Sequence, residues 1–578
     1  MADPNELAEL LYPEVSMEPA AVLAAYPRRT LPEGAMVTRF APSPTGMLHL
    51  GGLYAALFSE RLAHQTGGVF YLRIEDTDQK REIAASIPGI IDSLAYFGIG
   101  FDEGVCGAAA EKGIYGPYLQ SRRAGLYKVF VKELIRRDWA YPCFCDAAEL
   151  ERMRETQERS GLQPGYYGRW AAHRQFTLEQ IRAELERGRP FVIRLKAPQM
   201  SRTRVVFQDR IKGRLEMADN YQDAVLMKSD GLPTYHLAHV VDDHLMGTTH
   251  VLRGDEWLPS VPLHLQLFKA LGWNPPAYGH IGPLLKQEGA SRRKFSKRKD
   301  RDAVTAFYQE QGYPGEAVVE YLLNLINSNF EEWRKQHPAA PWSEFAIELQ
   351  KSSSSGALFD SRKLADVSRN RIAAYRAETV YDAASRWAER YDPEFGELLR
   401  RYPEYSAAIM DIERVSAKPR KDWAKWSDLK ADSGYFYDEL FYGPEGTARD
   451  GYVFPAPLAP EACREILAEY RRIYDGHHGQ TEWFGALQDL AERLGYARNG
   501  KDYRANPAAY RGSVADLAMV VRIALCNRTT TPELHAIMRV MGPDRVRERL
   551  DRCLRALTID AGGIADRRTL EEPRQAQQ

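Results

Sequence analysis

The chain is poor in cysteine: six in 578 residues, at Cys106, Cys143, Cys145, Cys463, Cys526 and Cys553. So few thiols, so widely scattered, do not make the disulfide framework of a small secreted protein, and a reduced, cytoplasmic setting is expected. Long apolar runs are missing as well. None reaches the roughly 18 residues of a membrane-spanning helix, so no membrane contact is expected. The amino terminus, MADPNELAEL, is acidic and interrupted by Pro4, unlike a signal peptide. Charge of one sign is absent, since 78 Lys and Arg face 79 Asp and Glu for a formal net charge of -1. Any site for a polyanion must therefore be a local patch. No internal repeat is visible.

What is present is the composition of a folded protein, 44% hydrophobic and 27% charged. At about 100–200 residues per domain, roughly three to five domains are expected. Residues 1–35, interrupted by Pro4, Pro13 and Pro27, read as an extension. A short apolar stretch, Met36 to Phe40, is followed by a Pro/Gly turn cluster. A helical pattern then runs from about Gly51 to Gln65, and a second strand starts at Val69. Strand, loop, helix and strand are the unit of a parallel α/β sheet. Residues 115–220 mix amphipathic helices with short strands, which suggests a unit inserted between two halves of the first. Beyond about residue 300 the pattern is mainly helical. Residues 417–460, rich in Trp, Tyr, Lys and Pro, look irregular, and the polar tail looks disordered.

Four segments carry chemistry. In RFAPSPTGMLHLGG (Arg39 to Gly52) a proline-stiffened loop leads to His49, two glycines and a helix. That arrangement sets backbone N–H groups and a positive helix end beside an anion, although His-x-Gly-Gly alone is also an ordinary strand-to-helix turn. Arg73-Ile74-Glu75-Asp76-Thr77-Asp78 places three carboxylates at a strand end, where ligands of parallel sheets bind; its plain alternative is a solvated turn. Tyr235, Arg253, Glu256 and Trp257 combine a cation, a carboxylate and two aromatics. Arginine matches a carboxylate in two-pronged fashion, and the alternative there is an internal salt bridge. Finally, KQEGASRRKFSKRKDR (Lys286 to Arg301) holds eight basic residues against two acidic ones. It reads as a mobile loop over a triphosphate, a nucleic-acid patch or a solvated face.

In this order the four segments resemble the signature set of the class I aminoacyl-tRNA synthetases. His49-Leu50-Gly51-Gly52 is similar to the first signature of that family, and Lys294-Phe295-Ser296-Lys297-Arg298 to the second. RFAPSPTG, RIEDTD, PTYH, VVDDHLMG and LRGDEW resemble the glutamyl branch; Pro42-Ser43-Pro44-Thr45 and Gly52 depart from the glutaminyl one. The resemblance is strong from residue 36 to about 300 and weaker to about 555. It implies an α/β fold: a Rossmann-like catalytic domain (36–114 and 222–280) split by an α+β acceptor-stem-binding insertion (115–221). A stem-contact domain with the KFSKR loop (281–375), an α-helical anticodon-binding region (376–563) and a tail (564–578) would follow.

The resemblance also implies glutamate, ATP with Mg²⁺, and the glutamate tRNA as substrates, with the glutamine tRNA included if the enzyme is non-discriminating. A monomer is expected. His49, Lys294 and Lys297 would handle phosphates and transition-state charge. Thr45, Gly51, Gly52, Glu256, Trp257, Leu285 and Ser296 would complete the ATP site. Arg39, Ser43, Glu75, Tyr235 and Arg253 would hold glutamate, and His239 is a weaker candidate. Zinc is not expected: some relatives hold it with Cys-x-Cys and two later ligands, but here Trp170 and Ala172 stand at the later positions and His173 is out of step. A catalytically dead tRNA-binding paralogue would show eroded phosphate motifs, which are present here. A short tRNA-modifying paralogue would lack the residues after KFSKR.

Overall fold

The computed structural model describes every residue except 1, 79–82, 84, 108–109, 199–202, 297, 417–418, 444–447, 449–450 and 568–578, with backbone alone over 559–567. It forms two compact units, Met1–Glu310 with Gly315–Leu364, and Gln311–Pro314 with Ala365–Gln578.

In the first unit, helices α1 (Pro4–Leu11) and α2 (Pro19–Ala25) precede β1 (Val37–Phe40), α3 (Leu50–Gln65), β2 (Val69–Leu72), α4 (Ser86–Tyr96), β3 (Glu103–Val105) and β4 (Glu111–Lys112). Next come α5 (Ala124–Arg136), β5 (Ala140–Cys143), α6 (Ala147–Arg159), α7 (Leu178–Glu186), β6 (Val192–Leu195), β7 (Arg204–Asp209), β8 (Gly213–Ala218) and β9 (Val225–Met227). Then follow α8 (Tyr235–Leu245), β10 (His250–Gly254), α9 (Val261–Leu271), β11 (Ala277–Ile281), β12 (Leu284–Glu288), β13 (Ser291–Lys294) and β14 (Ala357–Leu358). Strands β1, β2 and β3 pair in parallel, as do β10 and β11. Thr249 joins the two groups: its N–H donates to Val37 O at 3.0 Å, and its hydroxyl accepts from the Val37 N–H at 2.8 Å. The strands are buried along their length, as expected when helices cover both faces. Gly104, with φ +129, passes so close to β2 that a Cβ would stand 2.2 Å from Leu72 O, so only glycine fits there. Between the two parallel groups lie the antiparallel β5–β6–β9 sheet and the β7–β8 hairpin.

The extension before β1 packs onto the rest of the first unit. Pro4 and Pro19 each open a helix, where the missing N–H costs nothing. Leu7, Leu11, Tyr12 and Val22 pack into the same core as Tyr127, Phe130 and Leu134 of α5. The buried Lys132 ammonium donates to Tyr12 O and Val15 O at 2.9 and 2.8 Å, and Arg29 forks onto Glu103 at 2.7 and 2.8 Å.

At the other end of α3, His64 lies 2.8 Å from Glu60 and 2.9 Å from Asp102. Hydrogen bonds to Asp102 and then Glu60 push its pKa up to about 9. A raised histidine stabilises the fold fully below about pH 6.5 and loses that contribution as pH rises through about 9. Across that window, the denaturation midpoint of the unaltered chain should therefore fall more steeply than that of His64→Gln. Parallel pH profiles for the two would contradict it.

The second unit is helical, around one core built from Ala377–Tyr391, Pro393–Arg401, Pro403–Asp411, Pro460–Ile473, Gln480–Arg493, Val514–Cys526, Leu534–Met541 and Pro543–Arg567. The stretch 417–460 is less irregular than its composition suggests. Trp423, Trp426, Tyr435, Phe436 and Tyr437 are buried, and short helices form at Ser427–Ser433 and Asp438–Phe441. Arg549, fully buried, donates to Tyr435 O and to Leu525 O in the last turn of a helix, satisfying carbonyls that otherwise lack partners. The last helix runs on to Arg567, into the segment expected as tail; residues 568–578 lie outside the described residues.

Candidate active site

The carboxyl ends of β1, β2 and β10 open into a cavity of ≈ 910 Å³, the place where ligands bind parallel sheets. Of the residues singled out in the sequence, it gathers Arg39, Ser43, His49, Gly51, Gly52, Glu75, Tyr235, Arg253, Glu256, Trp257 and Lys294. Three others are not on its wall. Thr45 sits in the preceding turn, its N–H bonded to Ser43 O. Ser296 gives its N–H to Asp300 at the base of the basic loop. Leu284 lines the cavity and Leu285, the next residue of β12, does not, because successive strand residues face opposite ways. Lys297 lies outside the described residues.

His49 is the N-cap of α3. Its Nδ1 accepts the Gly51 N–H at 2.9 Å, so in the neutral ring Nε2 carries the proton and is the donor. A Cβ on Gly51 would press to 3.1 Å from that Nδ1, which favours glycine at this position. The ring thus joins the positive end of a 16-residue helix.

Behind the cavity lies a buried charge network. The Asp243 carboxylate receives Arg73 at 2.6 Å and Arg39 at 3.3 Å, with the Tyr71 hydroxyl at 3.4 Å. His239 Nδ1 stands 3.0 Å away but off the hydrogen-bond axis. Burial opposes ionisation of Asp243, yet Arg73 and Arg39 hold its pKa well below the usual carboxylate range. Asp242 next to it takes Arg123 at 2.7 Å, Gln120 at 2.8 Å and the Tyr127 hydroxyl at 2.8 Å. Glu75 touches Arg73 at 3.1 Å, and burial raises its pKa despite Arg73 and Arg39.

Arg253 differs from these arginines. It is 5% exposed and lines the cavity, but its partners are neutral. They are the Tyr235 hydroxyl at 2.9 Å, His280 Nε2 at 3.1 Å, Trp257 O at 3.3 Å and His264 Nδ1 at 3.4 Å. Among the described residues no carboxylate stands within ion-pair distance of it. Burial holds His264 well below and His280 below the ordinary histidine value, and takes the neighbouring His236 and His239 down to about 4 and about 3, so the rings around Arg253 are uncharged at neutral pH. A buried guanidinium on a cavity wall, among uncharged groups, has the chemistry to receive an anion.

The first part of the basic segment forms a hairpin, β12–β13. Arg293 forks onto Asp300 at 2.6 and 2.7 Å, Lys286 reaches Asp302 at 2.9 Å, and Lys294 meets Glu256 at 3.0 Å across the cavity mouth. Two of its eight basic residues, Arg293 and Lys286, thus shape the hairpin and its base.

Away from this cavity, Cys143, Cys145 and His173 have ligand atoms all within 4.8 Å of one another. Spacing had set His173 aside, but the short turn Ala172–Gln175 brings its Nδ1 to 3.4 Å from Cys145 Sγ, with the Tyr166 hydroxyl 3.6 Å from the same sulfur. Two sulfurs and one imidazole are three of the four ligands of a structural zinc site, and the Tyr166 hydroxyl lies beside them.

Comparison with known proteins accords with the cavity. Residues 35–366 match the family of class I tRNA synthetases (E and Q), catalytic domain, and residues 512–554 match an anticodon-binding domain. A glutamate–tRNA ligase of Clostridium perfringens (strain 13 / Type A) is 47% identical over 546 residues, 94% of this chain and 100% of that one. The chain belongs to the glutamate–tRNA ligase family of class I aminoacyl-tRNA synthetases. A further ligase of the family, from Acetivibrio thermocellus, is 44% identical over 553 residues, covering 96% of this chain and 100% of that one. The crystal structure of a glutamate tRNA ligase from Elizabethkingia meningosepticum in complex with its amino acid superposes with TM-score 0.71 at 27% identity, over 90% of this chain and 99% of that one. Within this synthetase, sequence reasoning passed over Asp243, His264 and His280. Asp243 stood inside a quoted motif, but nothing local said that it would face Arg39, 204 residues away.

Proposed function

We propose that this chain attaches glutamate to tRNA in two steps. The glutamate α-carboxylate attacks the α-phosphate of ATP and pyrophosphate leaves; the 2′-hydroxyl of the terminal adenosine then attacks the acyl group. The observation that carries this reading is Arg253, buried on the cavity wall with only neutral partners, which is a seat for a carboxylate. Arg39, Ser43 and Tyr235 complete the amino-acid pocket, and Glu75 faces the α-ammonium. An arriving ammonium favours the ionised form of Glu75 that burial disfavours. His49 and Lys294, with Lys297, meet the phosphates, while Gly51 and Gly52 let the nucleotide approach α3, and Glu256 and Trp257 flank the adenosine. Rate comes from positioning and charge stabilisation, not from a side-chain nucleophile. Mg²⁺ would arrive with ATP: among the described residues no cluster of three acidic or histidine ligands faces the cavity.

Residues 115–221 would carry the acceptor stem, residues 281–375 the stem contact, and the helical unit the anticodon. No helix among the described residues is long and apolar enough to cross a membrane, and all six cysteines are free; a cytoplasmic monomer is the setting proposed. The test is glutamate-dependent ATP–pyrophosphate exchange with and without the glutamate tRNA. Exchange only with tRNA supports tRNA-gated activation, and none in either condition with tRNA binding intact points to a non-catalytic paralogue. Charging of purified glutamate and glutamine tRNAs separates the discriminating from the non-discriminating enzyme. Arg253→Ala should raise the KM for glutamate by about 10²-fold, the scale of a lost buried charge-assisted contact, and change that for ATP little. Equal rises in both would remove Arg253 from the amino-acid pocket.

A further inference from the structure

The strongest unexplained feature is the side chain that meets the Nε of Arg253. Arg253 Nε–H can only donate, and it points at His280 Nε2, 3.1 Å away. Nε2 must therefore present its lone pair, and the single proton of the neutral ring must sit on Nδ1. Nδ1 lies 2.6 Å from Asp209 Oδ2, which can only accept while ionised. Asp209 is itself pinned, for Oδ1 accepts the backbone N–H groups of Ile211 and Lys212 at 2.9 and 2.8 Å, and both oxygens lie 3.2 Å from the His280 N–H. His280 is 0% exposed, Asp209 1% and Arg253 5%, so all three links lie away from bulk solvent. Burial works against the charge on Asp209, but the hydrogen bonds from His280, Lys212 and Ile211 hold its pKa below the usual value.

We infer that His280 is a positioning residue for Arg253, and that Asp209 fixes the tautomer of His280 that this requires. The inference rests on the reading of Arg253 as a glutamate-binding residue. Every donor–acceptor direction in the chain Asp209–His280–Arg253 is forced, so the ring can serve Arg253 in only one tautomer. An acceptor at Nε2 sets the guanidinium plane, while Tyr235 and Trp257 hold its far nitrogens. The relay has a further consequence. Asp209 ends β7, in the hairpin of the segment expected to carry the acceptor stem, so that hairpin and the amino-acid pocket share one set of hydrogen bonds.

The experiment measures the KM for glutamate and for ATP in pyrophosphate exchange, with tRNA present, for the unaltered enzyme and for His280→Leu, His280→Gln, Asp209→Asn and Arg253→Ala. His280→Leu should raise the glutamate KM about tenfold, as expected for one lost hydrogen bond to a charged group, and the ATP KM less than about twofold. His280→Gln places an amide acceptor near the Nε2 position and should return the glutamate KM to within about threefold of normal. Asp209→Asn keeps one acceptor oxygen where Asp209 uses two; with that oxygen on the Ile211 and Lys212 N–H groups its NH2 faces Nδ1 and asks for the opposite tautomer, so the glutamate KM should rise about as much as in His280→Leu. An unchanged glutamate KM in folded His280→Leu, equal rises in both KM values, or no recovery in His280→Gln overturns the inference. If His280→Leu fails to fold, Asp209→Asn decides: a rise in the glutamate KM alone supports the relay, and no rise overturns it. Arg253→Ala separates the two levels. If it raises the glutamate KM while His280→Leu does not, the relay alone is wrong; if it leaves the glutamate KM unchanged, the pocket assignment is wrong and the relay falls with it.

Discussion

Asp243→Ala should destabilise the catalytic unit by about 3–5 kcal/mol, the largest loss expected from a single side chain here. Its carboxylate is fully buried and receives Arg73 at 2.6 Å and Arg39 at 3.3 Å. Removing it does not simply delete two contacts. It leaves guanidinium groups that are 0% and 5% exposed without the charge that offsets their desolvation. Single domains have only about 5–15 kcal/mol of stability, so the change consumes a large share of it. Asp243→Asn keeps the shape and some hydrogen bonding but removes the charge, and should lose less. Urea unfolding of the full chain checks this, with the transition of the catalytic unit followed separately, because a two-unit chain need not unfold in one step. A shift below about 1 kcal/mol in Asp243→Ala would show that Asp242 and Glu75 compensate, and that the network is not organised around Asp243.

The second large effect belongs to His49. His49→Ala should slow adenylate formation by about 10²-fold or more, the cost of losing one donor aimed at developing charge. Gly51 fixes the tautomer by donating to Nδ1, which leaves Nε2–H as the donor on that ring. The same substitution removes the helix cap, which costs about 1 kcal/mol of stability. The two losses can be separated. His49→Asn retains a capping side chain and should recover most of the stability without recovering the rate, because its amide does not reach as far as Nε2. Pyrophosphate exchange at saturating substrate, beside a thermal melt of each variant, reads both quantities. Near-normal exchange in His49→Ala would refute the phosphate role.

Both predictions use residues that stand in quoted motifs, yet they were legible to different degrees. The phosphate loop was readable because its parts are local: turn, histidine, glycines and helix start lie within fourteen residues, and their chemistry follows from backbone geometry. The parallel sheet was readable for a similar reason, since strand, helix and strand follow one another in the chain. Orientation along a strand was not legible in the sequence: successive residues face opposite ways, and Leu284 rather than Leu285 lines the cavity. The hairpin within Lys286 to Arg301 was not legible because the sequence does not show that Arg293 folds back onto Asp300. In the same way, the turn at Ala172–Gln175 gathers His173 with two cysteines that a count of intervening residues had kept apart.

The sequence by itself determined the family, the two-step chemistry it implies, the α/β class and most of the residues that meet in the cavity. These are properties of short segments, where local propensity and side-chain type act within a few residues. Only the tertiary structure decided what surrounds them. It set Arg39 and Arg73 on Asp243, left Arg253 among neutral groups, tied it through His280 to Asp209, and docked residues 1–35 onto α5. Each of these depends on contacts between residues far apart in the chain. In a buried site such contacts are what make a charge tolerable, so whether an arginine is paired or available to a ligand is decided by the fold that surrounds it.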